Sequence, residues 1–240
     1  MADCPTLHCA AAWLPTLRVS SLERLFPYDA EVLGSIYAQY NAAVWPAQPV
    51  ALLLALVAVW LCVPPRRGSG RGIGLLLAAG WLWCGLVFFR GHLAAFDFMA
   101  PVYAWAFVAQ AALLLWGLVA RDTLLCFRPT VAGWAGLAVM VVALFGLPAI
   151  SGLATADSGA FGWAAARVVG VAPGPTALFT LGLLLLAEGR WRWALMVIPL
   201  AWCVVAGVTA WSLGVAEAWP LPILGGAVLL LSVLTPRPRV

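Results

Sequence analysis

Thr130–Ile150 reads TVAGWAGLAVMVVALFGLPAI, a stretch with no charged residue and no polar side chain beyond its first threonine. As a helix rising ~1.5 Å per residue it is ~30 Å long, the thickness of the hydrocarbon core of a bilayer. A soluble helix of that length shows a polar face, and this one has none. Six further runs of the same kind flank it: Val44–Val63, Gly72–Phe89, Ala100–Ala120, Val169–Ala187, Trp193–Gly214 and Trp219–Thr235. Pro173-Gly174-Pro175 interrupts the fifth run in chain order, so its strictly apolar part begins at Thr176. Pro220 and Pro222 lie near the start of the last, where proline is tolerated.

Composition carries the same message. Of 240 residues 65% are hydrophobic and 9% charged, with mean hydropathy +1.02. A soluble domain is roughly half apolar and about a quarter charged. The expected architecture is an all-α membrane protein, a bundle of seven transmembrane helices. Residues 1–43 form an external N-terminal segment, 44–235 the helical domain and 236–240 a cytoplasmic tail.

The arginines give the orientation. Arg66, Arg67, Arg71, Arg121, Arg128, Arg190, Arg192, Arg237 and Arg239 fall on one side, against Arg18, Arg24, Arg90 and Arg167 on the other. The nine-to-four excess places the C-terminus in the cytoplasm and the N-terminus outside, across a bacterial inner membrane. Trp45, Trp211 and Trp219 then sit at outer span ends and Trp60, Trp116, Trp191 and Trp193 at inner ones, the depth indole prefers. Trp81, Trp83, Trp105 and Trp202 lie deeper and read as packing residues.

Ahead of the first span, Ser20 and Glu23 have capping-box spacing. Asp29 can cap a second helix on which Leu33, Ile36, Tyr37 and Tyr40 recur at helical intervals. Asp29–Ala43 is therefore expected as an amphipathic interfacial helix that bends into the first span near Pro46. The segment Ser151–Gly174 reads as a long, fairly apolar loop.

Several chemistries are excluded. The chain has no lysine, hence no Schiff base with retinal or pyridoxal phosphate. Its net charge of +4 is spread over loops and does not suggest nucleic acid binding. Signatures of hydrolases, metalloproteases and phosphate loops are absent, and two histidines outside the spans argue against haem. No cofactor is expected. Cys4, His8 and Cys9 group three soft ligands, open to metal binding, a disulfide or neither. Cys62, Cys84, Cys126 and Cys203 read as small core residues.

Polar groups near the membrane mark candidate sites because they are costly there. Tyr40, Asn41, Gln48, His92, Asp97, Thr176, Thr180 and Glu217 all fall at the outer end, while Gln110 lies mid-span. Asn41 and Gln48 share one helix face, as do Thr176 and Thr180. Tyr40, Asn41, Gln48, Asp97, Thr176 and Thr180 are expected to line one outward-facing ligand pocket, with Gln110 as its floor. If the helix extends back that far, Pro175 deprives a carbonyl one turn earlier of its amide partner, and Thr180 is the expected compensating hydroxyl.

Three segments taken together are distinctive: Tyr40-Asn41-Ala42-Ala43-Val44-Trp45-Pro46-Ala47-Gln48, Trp81-Leu82-Trp83-Cys84-Gly85 and Pro175-Thr176-Ala177-Leu178-Phe179-Thr180-Leu181-Gly182. In this order they resemble a family of bacterial multi-pass membrane proteins, the domain of unknown function DUF6064, from about Phe26 onward. Its members often carry a histidine where this chain has Phe88-Phe89, and Pro-Cys-Pro where it has Pro173-Gly174-Pro175. The resemblance implies architecture and no particular activity. Two roles follow as expectations. One is binding or transport of a small solute or ion; the other is an accessory or scaffold subunit that packs in the bilayer against other membrane subunits.

Overall fold

The structure, a computed structural model, describes residues 28–63, 68–121, 123, 125–156, 162–189, 191–215 and 218–235. The expectations for Ser20–Glu23, Cys4, His8, Cys9, Glu217, the 236–240 tail, and Arg18, Arg24, Arg66, Arg67, Arg190, Arg237 and Arg239 lie outside the described residues.

The chain opens with α1 (Ala30–Ala43), begun where the Asp29 side chain accepts a hydrogen bond from Val32 N. Leu33, Ile36, Tyr37 and Tyr40 are buried along one face, while Asp29 and Glu31 are exposed. Pro46 ends that course, and α2 (Ala47–Cys62) leaves at 86° to α1. Gln48 Nε2 donates to Asn41 O across the corner at 2.7 Å. The first helix and its bend are thus written in the local sequence: a cap, a stripe and a proline.

Next come α3 (Ser69–Trp83), α4 (Ala100–Leu114), α5 (Val131–Val141), α6 (Leu147–Ala156), α7 (Pro173–Leu184), α8 (Arg192–Leu213) and α9 (Pro220–Leu234). α3 runs on as a π-helix over Cys84–Arg90 and α4 over Leu115–Ala120. α5 passes through a third π segment, Val142–Gly146, into α6. Pro148 has no amide hydrogen for the ladder behind it, and the wider winding absorbs that gap. Four of these rods are long and apolar enough to cross a membrane: Ser69–Ala95, Ala100–Ala120, Val131–Leu153 and Arg192–Leu213. The bent pair α1–α2 makes a fifth if taken as one span, and α7 and α9 are shorter.

Two boundaries differ from expectation. The segment expected as a loop from Ser151 is helical as far as Ala156 and again, as a 3-10 turn, over Gly162–Ala165. The Pro-Gly-Pro motif forms the first turn of α7, where missing amides cost nothing, instead of interrupting it.

α7 is the centre of the fold. It packs against α3, α5, α8 and α9, and every residue from Pro175 to Leu184 is buried. A helix apolar all round demands such enclosure. Glycines set the distance. A Cβ on Gly182 would stand 2.8 Å from the Gly136 carbonyl, and one on Gly136 would stand 2.7 Å from the Gly182 carbonyl. The α5–α7 crossing therefore brings backbone against backbone, as small residues do in membrane bundles. Beyond Leu184 a bridge between Leu125 and Ala187 and the ion pair of Arg128 with Glu188 at 2.7 Å tie the chain to the preceding loop.

Trp81 is fully buried, as a packing residue should be, but Trp83 (37% exposed) and Trp105 (67% exposed) face outward. A helix without a polar face carries no sequence signal for which side is inside.

Candidate functional site

The polar residues of the sequence fall into two groups at the α1 end of the bundle, with Gln110 apart from both.

The first group holds residues 162–172, an irregular stretch that runs from beneath α1 to the start of α7. Ala165, Val169, Val171 and Ala172 are buried there. Buried backbone outside a helix needs partners for every amide and carbonyl. Asn41 Nδ2 donates to Ala164 O at 2.7 Å and to Ala166 O at 2.9 Å. The Tyr40 hydroxyl donates to Val171 O at 3.0 Å and accepts from Trp83 Nε1 at 2.8 Å. Thr176 Oγ1 accepts from Gly170 N at 2.8 Å and donates to Ala172 O at 2.7 Å. Cys84 Sγ lies 3.7 Å from that hydroxyl. One turn on, Thr180 Oγ1 donates to Thr176 O at 2.8 Å and accepts from Trp81 Nε1 at 2.9 Å. Gly170, at φ +83°, adopts the left-handed turn that reverses the chain into α7.

Pro175 lies in the first turn of α7, capped at Ala172, so the Val171 carbonyl four residues earlier is outside the helix and loses no helical partner; it accepts the Tyr40 hydroxyl, while Thr180 donates to Thr176 O. A proline inside a helix does leave a carbonyl bare in α8, and Gln110 answers it. Pro199 lies inside that helix and leaves the Leu195 carbonyl without an amide. Gln110 Nε2 donates to it at 2.9 Å. The proline inside α8 is thus answered by a side chain from another helix.

The second group surrounds Asp97, which is 2% exposed. It sits between the turn Leu93–Ala95 and α4. Its Oδ1 accepts from Met99 N at 2.8 Å, fixing the start of α4, and its Oδ2 accepts the Tyr28 hydroxyl at 3.1 Å. Among the described residues no cation lies within ion-pair distance of this carboxyl. Burial first, and then the negative charge of Asp97, push the Tyr28 phenol well above its usual range, so it stays a hydrogen-bond donor.

Asp97 lines a cavity of about 70 Å³. The ends of α3, α6 and α8 and the beginnings of α4, α7 and α9 meet there, contributing Phe89, Ser151, Trp202, Tyr103, Pro175 and Leu221. Tyr37 of α1 lines it too, with the Arg167 guanidinium 4.6 Å above its ring. The π winding of Cys84–Arg90 turns both Phe88 and Phe89 inward. A second cavity, about 200 Å³, lies between α2 and α3 and is walled by alanine, valine and leucine with Gly170 and Thr176 at its edge.

Of the residues expected to share one pocket, Asp97 lines the first cavity and Thr176 the second, while Tyr40, Asn41, Gln48, Thr180 and Gln110 line neither. Sequence reasoning misses Tyr28, Tyr103 and Arg167 as companions of Asp97. The one signal for Arg167 is its place among the four arginines set against the nine in the charge count. Among the described residues no group of three metal-ligating side chains is present.

No curated protein and no solved structure matches this chain. The profile described as "Family of unknown function (DUF6064)" matches residues 30–238, a span that takes in α1 to α9, the segment under α1 and Asp97. The chain belongs to that family.

Proposed function

We propose that the protein is a seven-crossing membrane protein that holds a small solute in the cavity around Asp97. Its broad apolar surface supports the membrane setting: Leu53, Trp105, Val131, Val204 and Leu234 are each more than 60% exposed. α2, α7 and α9 complete the count of crossings. At ~1.5 Å per residue the twelve residues of α7 reach only ~18 Å, and the stretch before it, buried at Val169, Val171 and Ala172, makes up the difference. Irregular backbone at membrane depth is tolerated where protein surrounds it.

With the N-terminus outside a bacterial inner membrane, as the arginine excess favours, the cavity opens outward. In this reading Tyr40, Asn41, Gln48, Thr176 and Thr180 hold the chain that shapes its wall. The observation that carries the proposal is a buried carboxyl, lining open space, with no cationic partner among the described residues. Its two hydrogen bonds, from Met99 N and the Tyr28 hydroxyl, are both from neutral donors, and a buried carboxylate is costly unless its charge is also met.

The test is accessibility from outside. Thr209, which lines the cavity, is replaced by cysteine in a chain whose Cys4 and Cys9 are serine. A membrane-impermeant maleimide should label it on intact cells. Labelling confined to inverted vesicles refutes the orientation, and none in either refutes the open cavity. An accessory subunit would instead co-purify in mild detergent with a stoichiometric partner.

A further inference from the structure

We propose that the Asp97 cavity selects a small alkylammonium group, an inference that rests on the cavity being a ligand site. Charge is the first argument. The donors to Asp97 are the neutral Tyr28 hydroxyl and Met99 amide. A carboxylate has about four lone-pair directions, so acceptor capacity remains; Arg167 lines the same cavity but lies over the Tyr37 ring, and no cation among the described residues is within ion-pair distance of the carboxyl. An ammonium group supplies both the charge and the N–H donors.

The walls are the second argument. Phe89, Tyr103 and Trp202 line the cavity as a mutually packed set, with ring centroids 5.2 to 5.6 Å apart. Aromatic rings beside a carboxylate are the environment in which proteins bind organic cations, because ring faces are electronegative. A bare metal ion asks for something different: six or more oxygen ligands in the case of calcium, or retained water for magnesium. Beside Asp97 the wall offers a few hydroxyls, among them Ser151 and Thr209, and the Arg167 guanidinium, while Leu33, Leu93, Leu147, Val205 and Leu221 fill much of the rest, a set too poor in oxygen for such an ion.

Size is the third. A cavity of about 70 Å³ is roughly half of one that admits benzene, ~150 Å³. Methylammonium fits that space, and trimethylammonium, close to benzene in volume, marks its upper limit. Tetraethylammonium does not.

The experiment is thermal unfolding of the full chain in detergent, at constant ionic strength, with methylammonium, trimethylammonium, tetraethylammonium, sodium, potassium, methanol or tert-butanol. The first two should raise the midpoint in a saturable way, and the others should not. Asp97→Asn keeps an oxygen for the Met99 amide and should weaken alkylammonium affinity at least tenfold. If that variant fails to fold, Tyr103→Leu provides the second reading and should weaken trimethylammonium severalfold. Protection by sodium or potassium equal to that by methylammonium overturns the proposal, as does undiminished affinity in a folded Asp97→Asn chain. Protection by the alcohols alone overturns it too, while leaving the cavity as a site for neutral solutes. No protection by any of them, with the Thr209→Cys chain unreactive to maleimide, removes the ligand site itself.

Discussion

Replacing Gln110 by leucine tests whether this side chain exists to satisfy a carbonyl. Gln110 is fully buried, and its amide nitrogen donates to Leu195 O at 2.9 Å. Losing that bond leaves the carbonyl unpaired in a dry interior, which costs ~1–3 kcal/mol. Part of the cost is returned, because Gln110 Oε1 is itself buried without a partner and leaves with the amide. The single substitution should therefore destabilise by ~1–2 kcal/mol. Pro199→Ala restores an amide one turn after Leu195, so the helix can close its own ladder. In that background Gln110→Leu should be neutral or stabilising, giving a coupling energy of ~1–3 kcal/mol between the two positions. Denaturant unfolding of the four chains in micelles, followed by tryptophan fluorescence, measures it. Additivity within ~0.5 kcal/mol would show that the carbonyl is not what links them.

Three further outcomes are expected. Tyr40→Phe keeps the ring contacts with Phe88 and His92 but orphans Val171 O and Trp83 Nε1. It should cost ~2–3 kcal/mol in the same unfolding assay without changing alkylammonium affinity, and an unchanged midpoint would remove its anchoring role. Gly182→Ala puts a methyl 2.8 Å from the Gly136 carbonyl. The α5–α7 crossing must spread at ~1–3 kcal/mol, so a melting temperature at or above that of the parent would contradict the packing. The Tyr28 phenol is raised in the folded state, by burial and by Asp97. Its contribution is full below the unfolded value of ~10 and is lost as pH rises beyond that toward the folded value. The stability difference between the parent and Tyr28→Phe should be constant from pH 7 to about 9 and shrink above ~10. A difference that holds or grows to pH 11 would argue against the buried hydrogen-bonded phenol.

The sequence by itself determined what is encoded over one helix length. Asp29 as cap, the Leu33–Tyr40 stripe, the corner at Pro46 and four of the long apolar runs stand where local chemistry puts them. Each depends on neighbours a few residues away. The expectation that Pro175 leaves a carbonyl bare fails because α7 begins at Pro173, so the carbonyl four residues back is outside the helix. Which side chains meet the carbonyls that do need partners was beyond reach. Tyr40 meets Val171 and Gln110 meets Leu195 across intervals of 131 and 85 residues, and many hydroxyls and amides could have served. Tertiary structure alone decided that α7 lies at the centre, since seven runs of similar hydropathy rank none as inner. It also decided that Trp83 and Trp105 face outward, because a helix apolar on every side has no moment to orient it. The assembly of Tyr28, Tyr103, Trp202 and Arg167 around Asp97 has the same origin. Those residues share no period and no motif, and become neighbours only where the helix ends converge.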